Sequence, residues 1–71
     1  MQTINPIEVG KKITELRINK NESREDAANA LNISQSALAM YEQGNRIPRD
    51  NIKIRIADHY GVSVGDIFFA Q

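Results

Sequence analysis

The chain has 71 residues, no cysteine, and nine basic residues balanced by nine acidic ones, for a formal net charge of zero. That length suits one small domain, residues 1–71, with a modest core, and the lack of cysteine excludes a disulfide framework or a thiolate metal site. No basic segment leads into an apolar one at the N-terminus, and no apolar run approaches the ~20 residues of a membrane span, so a cytoplasmic chain without membrane contact is expected.

Capped short helices are the consistent signal along the chain. Asn5-Pro6-Ile7-Glu8 reads as a helix start: an N-cap acceptor, proline at the first helical position, and glutamate placed for a capping box. Val9, Ile13 and Leu16 then recur at helical spacing to about Lys20, and Asn21 provides a stop. Ser23-Arg24-Glu25-Asp26 repeats the capping pattern before a small-residue helix carrying Ala27, Ala28, Ala30 and Leu31.

Asn32-Ile33-Ser34 can turn the chain sharply. Asparagine tolerates positive φ, isoleucine plugs the core, and serine caps the next helix. That helix runs from about Gln35 to Gln43, with Leu38 and Tyr41 as its apolar pair, and ends at Gly44. Pro48 biases Ile47 towards an extended conformation, so Asn45-Arg46-Ile47-Pro48 is a loop. From about Asp50 to Tyr60, Ile52, Ile56 and Tyr60 form one stripe with Ile54 and Ala57 beside it, before Gly61. Ser63-Val64-Gly65-Asp66 opens a last short helix with Ile67, Phe68 and Phe69. The expectation is an all-α fold of five helices.

Charge is unevenly distributed. Residues 10–24 hold Lys11, Lys12, Arg17, Lys20 and Arg24 against Glu15 and Glu22, and Arg46 and Arg49 follow the middle of the chain. A basic face on a neutral body is compatible with this pattern. Lys11 and Lys12 read first as a solvated helix face.

The informative stretch is Ser23 to Pro48. A small-residue helix, a three-residue turn and a second capped helix within about twenty residues is the economy of a helix-turn-helix, spanning about 23–43. Ala28 stands where the helices cross closely, and Ile33, Leu38 and Tyr41 stand where apolar residues lock the angle. The second helix is then free to enter a DNA major groove.

On these residues the chain resembles the Cro/cI-type (XRE) helix-turn-helix regulators of phages and bacteria over almost its whole length. The resemblance rests on Ser23 to Ala28, on Leu31 to Ser36, on the run Leu38-Ala39-Met40-Tyr41-Glu42-Gln43-Gly44-Asn45-Arg46-Ile47-Pro48, and on Tyr60 to Ser63. It implies a lambda-repressor-like fold and a sequence-specific transcription regulator, a repressor binding a palindromic operator as a dimer. Gln35, Ser36 and Met40 fall at positions that face bases; glutamine can bond adenine, and methionine can touch a thymine methyl. Arg24, Ser34, Gln43, Asn45 and Arg46 fall where the family contacts phosphates, and Arg17 with Glu42 matches an internal ion pair.

The chain departs from the family pattern at several points. Arg24 stands where glutamine is usual, Asn32 replaces a turn glycine, Glu22 replaces an apolar residue, and Asp50 and Lys53 fall where leucines are common. Ala39 and Met40 leave the recognition helix less polar than usual, which places hydrogen-bonded readout on Gln35.

Plainer roles stand beside these. Tyr41 reads as core, and Met40 as either a groove contact or ordinary surface. His59 has no cysteine and no acidic neighbour but Asp58, so no metal, cofactor or catalytic role is expected, and the chain is not expected to be an enzyme. Ile67, Phe68 and Phe69 cannot all point inward from one short helix, which predicts a homodimer through this segment. The alternative is a protein-interaction module on the same scaffold, an antitoxin or anti-repressor, with weak or no DNA binding.

Overall fold

A computed structural model describes residues 4–69, so residues 1–3, 70 and 71 of the expected 1–71 domain lie outside it. Its helices are α1 (Pro6–Asn19), α2 (Arg24–Leu31), α3 (Gln35–Gln43), α4 (Asp50–Tyr60) and α5 (Val64–Phe68). The architecture is all-α, as the patterning predicts.

Caps define the boundaries. Asn5 Oδ1 accepts the Glu8 N–H at 2.9 Å, Ser23 Oγ accepts from Asp26 at 3.0 Å, and Ser34 Oγ accepts from Ala37 at 3.0 Å. At Ser63 both halves of a capping box form with Asp66. Asn21 and Asn32 adopt positive φ, 58° and 57°, reversing the chain where the sequence places turns. Helix α4 starts without a side-chain cap, its N-cap residue being Arg49.

Each helix turns a narrow stripe inward. Val9 and Ile13 of α1, Ala27, Ala28 and Leu31 of α2, Leu38 and Tyr41 of α3, and Ile56 and Ala57 of α4 meet Ile67 and Phe68 of α5 in one cluster. Alanine at Ala27 and Ala28 lets α2 approach its neighbours closely, and Ile33 packs against the cluster from the turn. The Ile4 N–H donates to the Phe68 carbonyl at 3.1 Å, tying the start of the described chain to its end.

Three expectations need correction. Ile67 and Phe68 are not a surface patch: they are 1 % and 0 % exposed, because α5 closes the core from below with both side chains. Only Phe69, past the helix end and partly buried, keeps surface. In α4 the Ile52, Ile56 and Tyr60 stripe packs on the core with Ala57 beside it, but Lys53 is buried there as well, while Ile54 is 54 % exposed. The Lys53 ammonium lies 5.6 Å from the Phe68 ring centre and 5.2 Å from that of Phe69, and 3.6 Å from Asp50 Oδ1. A lysine stem thus covers the apolar surface a leucine would cover, and its charge rests on aromatic faces.

The third correction concerns the basic stretch 10–24, most of which is engaged within the fold. Lys12 Nζ donates to the Asp66 carbonyl at 2.9 Å and Lys20 Nζ to the His59 carbonyl at 3.1 Å. Arg17 and Arg24 both bond Glu42. These bonds fix where the cations lie, with only the Glu42 carboxylate offsetting charge, and Lys11, Lys12, Lys20 and Arg24 remain exposed.

Candidate nucleic-acid interface

Helix α3 is held by its inner side. Leu38 is fully buried, Tyr41 is 6 % exposed, and the Glu42 side chain is 1 % exposed. A buried carboxylate needs compensation, and Glu42 has it twice. Arg17 Nε donates to Glu42 Oε2 at 2.7 Å and Arg17 Nη2 to Oε1 at 3.2 Å, while Arg24 Nε donates to Oε1 at 3.0 Å. Arg17 Nη1 also donates to the Glu22 carbonyl at 2.9 Å. The hydrogen bonds that Arg17 donates to Glu42 outweigh the cost of burial and hold the guanidinium above its ordinary pKa. One carboxylate thereby joins α1, α2 and α3.

The outer side of α3 is open. Gln35 and Ser36, in its first turn, are exposed, and Met40 follows at 37 % exposure. None of the three has a side-chain hydrogen bond among the described residues, so the donors and acceptors of Gln35 and Ser36 are available to a ligand. Ser34 accepts the Ala37 amide and keeps its own O–H to donate.

The segment after α3 supplies the other expected contacts. Gly44 ends the helix at φ 79°, and the Asn45 N–H returns to the Met40 carbonyl at 2.9 Å. Asn45 Nδ2 donates to Gln43 Oε1 at 3.2 Å, fixing two polar side chains against each other and leaving the Gln43 amide nitrogen to donate outward. Arg46 and Arg49 are exposed and form no ion pair among the described residues. Arg24 is the exception among the expected phosphate contacts: its Nε is engaged by Glu42, with the side chain 46 % exposed.

Sequence reading missed two arrangements. Gly10 lies against α3, which its position in a helix gave no reason to expect. Glu22 is not a loose replacement for an apolar residue: Oε1 accepts from Tyr60 Oη at 2.8 Å and Oε2 meets His59 Nε2 at 2.5 Å. Burial opposes the Glu22 charge, but the hydrogen bonds from His59 and Tyr60 outweigh it and hold the carboxyl below its ordinary range. Burial and the bond to Glu22 push the Tyr60 hydroxyl well above its usual value. The signal for this cluster was a single polar residue at a packing position, with partners 37 and 38 residues away.

Two short helices joined by a tight turn, the second locked inside and open outside, define the class as a helix-turn-helix domain. Residues 13–67 match the helix-turn-helix family profile, which covers most of the chain. The chain belongs to the Cro/cI-type (XRE) helix-turn-helix family of DNA-binding transcription regulators, which are not enzymes.

Solved structures share the fold. The restriction-modification controller protein C.AhdI of Aeromonas hydrophila superposes with a TM-score of 0.80 at 22 % identity, covering 87 % of this chain and 94 % of that one. The clp gene regulator ClgR of Corynebacterium glutamicum gives 0.79 at 20 % identity, over 90 % of this chain and 83 % of that one. A transcriptional regulator from Listeria innocua gives 0.82 at 19 % identity, over all of this chain and 64 % of that one. No curated protein sequence gives a significant match. No helix among the described residues is long and apolar enough to cross a membrane.

Proposed function

We propose that residues 1–71 act as one operator-reading domain, a cytoplasmic repressor that binds a palindromic DNA site as a homodimer and blocks transcription by occupying it. The observation that carries this reading is the division of α3 between a locked inner side, Leu38, Tyr41 and Glu42, and a free outer side, Gln35, Ser36 and Met40. A helix fixed from within presents its N-terminal side chains to base edges on a backbone that is already ordered, so that only the side chains remain to be fixed on binding. Gln35 carries the hydrogen-bonded readout, worth about 1–3 kcal/mol of discrimination at one base pair. Ser34, Gln43, Asn45, Arg46 and Arg24 provide the phosphate contacts that set the docking register.

The dimer contact is assigned to the groove between α4 and α5, lined by Asp50, Lys53, Ile54, Val64 and Phe69. Ile54, Val64 and Phe69 give it an apolar strip beside the exposed Asp50, while Lys53 is engaged within the fold, and such a strip can meet its own copy across a two-fold axis. Two copies so joined would offer two recognition helices to successive major grooves.

Selection from a random-sequence DNA pool, followed by a salt titration on the enriched duplex, tests the reading. A palindromic motif should emerge, bound less tightly as salt rises. Gln35→Ala should weaken that motif about 5- to 150-fold, the range set by one bidentate base contact, and leave thermal stability unchanged. No enrichment at low salt would overturn it and favour a protein partner instead, an interpretation consistent with zero net charge and the exposed Met40.

A further inference from the structure

We infer that the groove between α1 and α5 is a binding site for a small zwitterion, an α-amino acid with an aliphatic side chain; this goes beyond the operator-binding reading and does not depend on it. The groove encloses about 150 Å³, the scale at which a cavity lined by aliphatic side chains accepts a small hydrocarbon. Its floor is apolar: Leu16 of α1, Val62 of the turn before α5, and Ile67 of α5. Its rim is polar and carries both signs, with Lys12, Glu15 and Asn19 on α1 and Asp66 on α5. None of these residues belongs to α3 or to the expected DNA contacts, so the groove is separate from the nucleic-acid interface.

Lys12 and Glu15 are one helical turn apart, a spacing at which opposite charges are neighbours, yet they form no ion pair with each other. Lys12 Nζ instead crosses the groove to the Asp66 carbonyl at 2.9 Å, which uses one of its three donors. The Asp66 carboxylate is occupied as well, its Oδ2 accepting the Ser63 N–H at 3.2 Å. Glu15 and Asn19 have no side-chain hydrogen bond among the described residues. An ammonium with donors to spare thus stands beside a carboxylate without a partner, above an apolar floor. An amino acid meets each feature once: its carboxylate bonds Lys12, its ammonium bonds Glu15, and its side chain covers Leu16, Val62 and Ile67. An aliphatic amine would meet the Lys12 charge unopposed, and an aliphatic carboxylate that of Glu15.

The test titrates the isotope-labelled full chain with leucine and follows backbone amide shifts by two-dimensional NMR. Isoamylamine and isocaproate, which lack the carboxylate and the ammonium in turn, are the comparison ligands. Leucine should move the amides of Leu16, Val62 and Ile67 saturably, with a Kd on the order of millimolar for a ligand of this size. Each comparison ligand should bind about tenfold more weakly, the scale of one charged hydrogen bond. Glu15→Gln should weaken leucine about tenfold without weakening isocaproate, and Lys12→Gln should do the same without weakening isoamylamine. Both positions are exposed, and circular dichroism checks that the variants are folded; should Lys12→Gln unfold with the loss of its bond to α5, Glu15→Gln decides the question. No saturable shift up to the solubility of leucine, equal binding of all three compounds, or shifts centred on the α4–α5 groove would overturn the site. Undiminished leucine binding by both variants would overturn it too. The titration contains no DNA, so its failure leaves the operator-binding reading intact.

Discussion

Gly10 of α1 faces the backbone of Glu42 in α3 so closely that a Cβ on it would stand 2.3 Å from the Glu42 carbonyl oxygen and 2.7 Å from that of Tyr41. Two helix backbones meet there with no room for a side chain. The same seam recurs at Gly44, whose Cβ would stand 2.9 Å from the Ile7 Cα. The seat of the recognition helix on α1 is thus set by absent side chains as much as by Val9 and Ile13.

Gly10→Ala is the sharpest test of that seam. Alanine favours an exposed helix interior by up to about 1 kcal/mol over glycine. The obstruction here is backbone, which cannot swing aside, and overpacking costs about 1–3 kcal/mol or more. The second effect wins, and the melting temperature should fall by roughly 4–8 °C for each kcal/mol. A thermal unfolding curve matching the wild type would mean that the helices separate at no cost.

Removing the Glu42 carboxylate strands two guanidinium groups at the junction of three helices. Glu42→Ala should destabilise by about 3–5 kcal/mol, the scale of breaking a buried pair. That is comparable with the whole stability of a small domain, so the variant should be largely unfolded at room temperature by circular dichroism. Glu42→Gln, which keeps an acceptor, should lie between the two.

The Glu22 cluster makes stability depend on pH at both ends. The Glu22 carboxyl is held below its ordinary pKa with His59, Tyr60, Lys20 and Arg17 around it. Its contribution is present above the unfolded value of about 4.3 and is lost as pH falls through the lower folded value. Wild type should therefore exceed Glu22→Gln in urea-unfolding free energy near neutral pH, and the gap should close in acid. Tyr60 shifts upward, so its contribution is present below about pH 10 and is lost as pH rises above that. Tyr60→Phe should abolish this alkaline loss. A gap between wild type and Glu22→Gln that ignores pH would exclude the carboxylate as its source.

Ile54 separates assembly from folding because it is exposed on α4 yet lines the proposed dimer groove. Ile54→Lys should leave the melting temperature of the isolated domain within about 0.5 kcal/mol equivalent of the wild type, as a surface change does. Sedimentation should shift from dimer to monomer, and operator affinity should fall with it. A dimer of undiminished strength would place the interface elsewhere.

The sequence alone determined the helices and their ends. Caps, turn asparagines and terminal glycines act within a few residues, so Ser23, Asn32, Ser34, Gly44 and Gly61 were legible without the fold. Spacing marked Leu38 and Tyr41 as the inner side of α3, and the family resemblance named Gln35, Ser36 and Met40 on its outer side. Tertiary structure decided what depends on contacts distant in sequence. It buried Ile67 and Phe68, because α5 faces a space that only the other helices enclose. It turned Lys53 inward across two aromatic rings and left Ile54 in solvent, a choice that apolar periodicity ranks the other way. It joined Glu22 to His59 and Tyr60, and brought Arg24 as well as Arg17 to Glu42. A buried charge is acceptable only when its partners arrive, and those partners lie 18 to 38 residues along the chain.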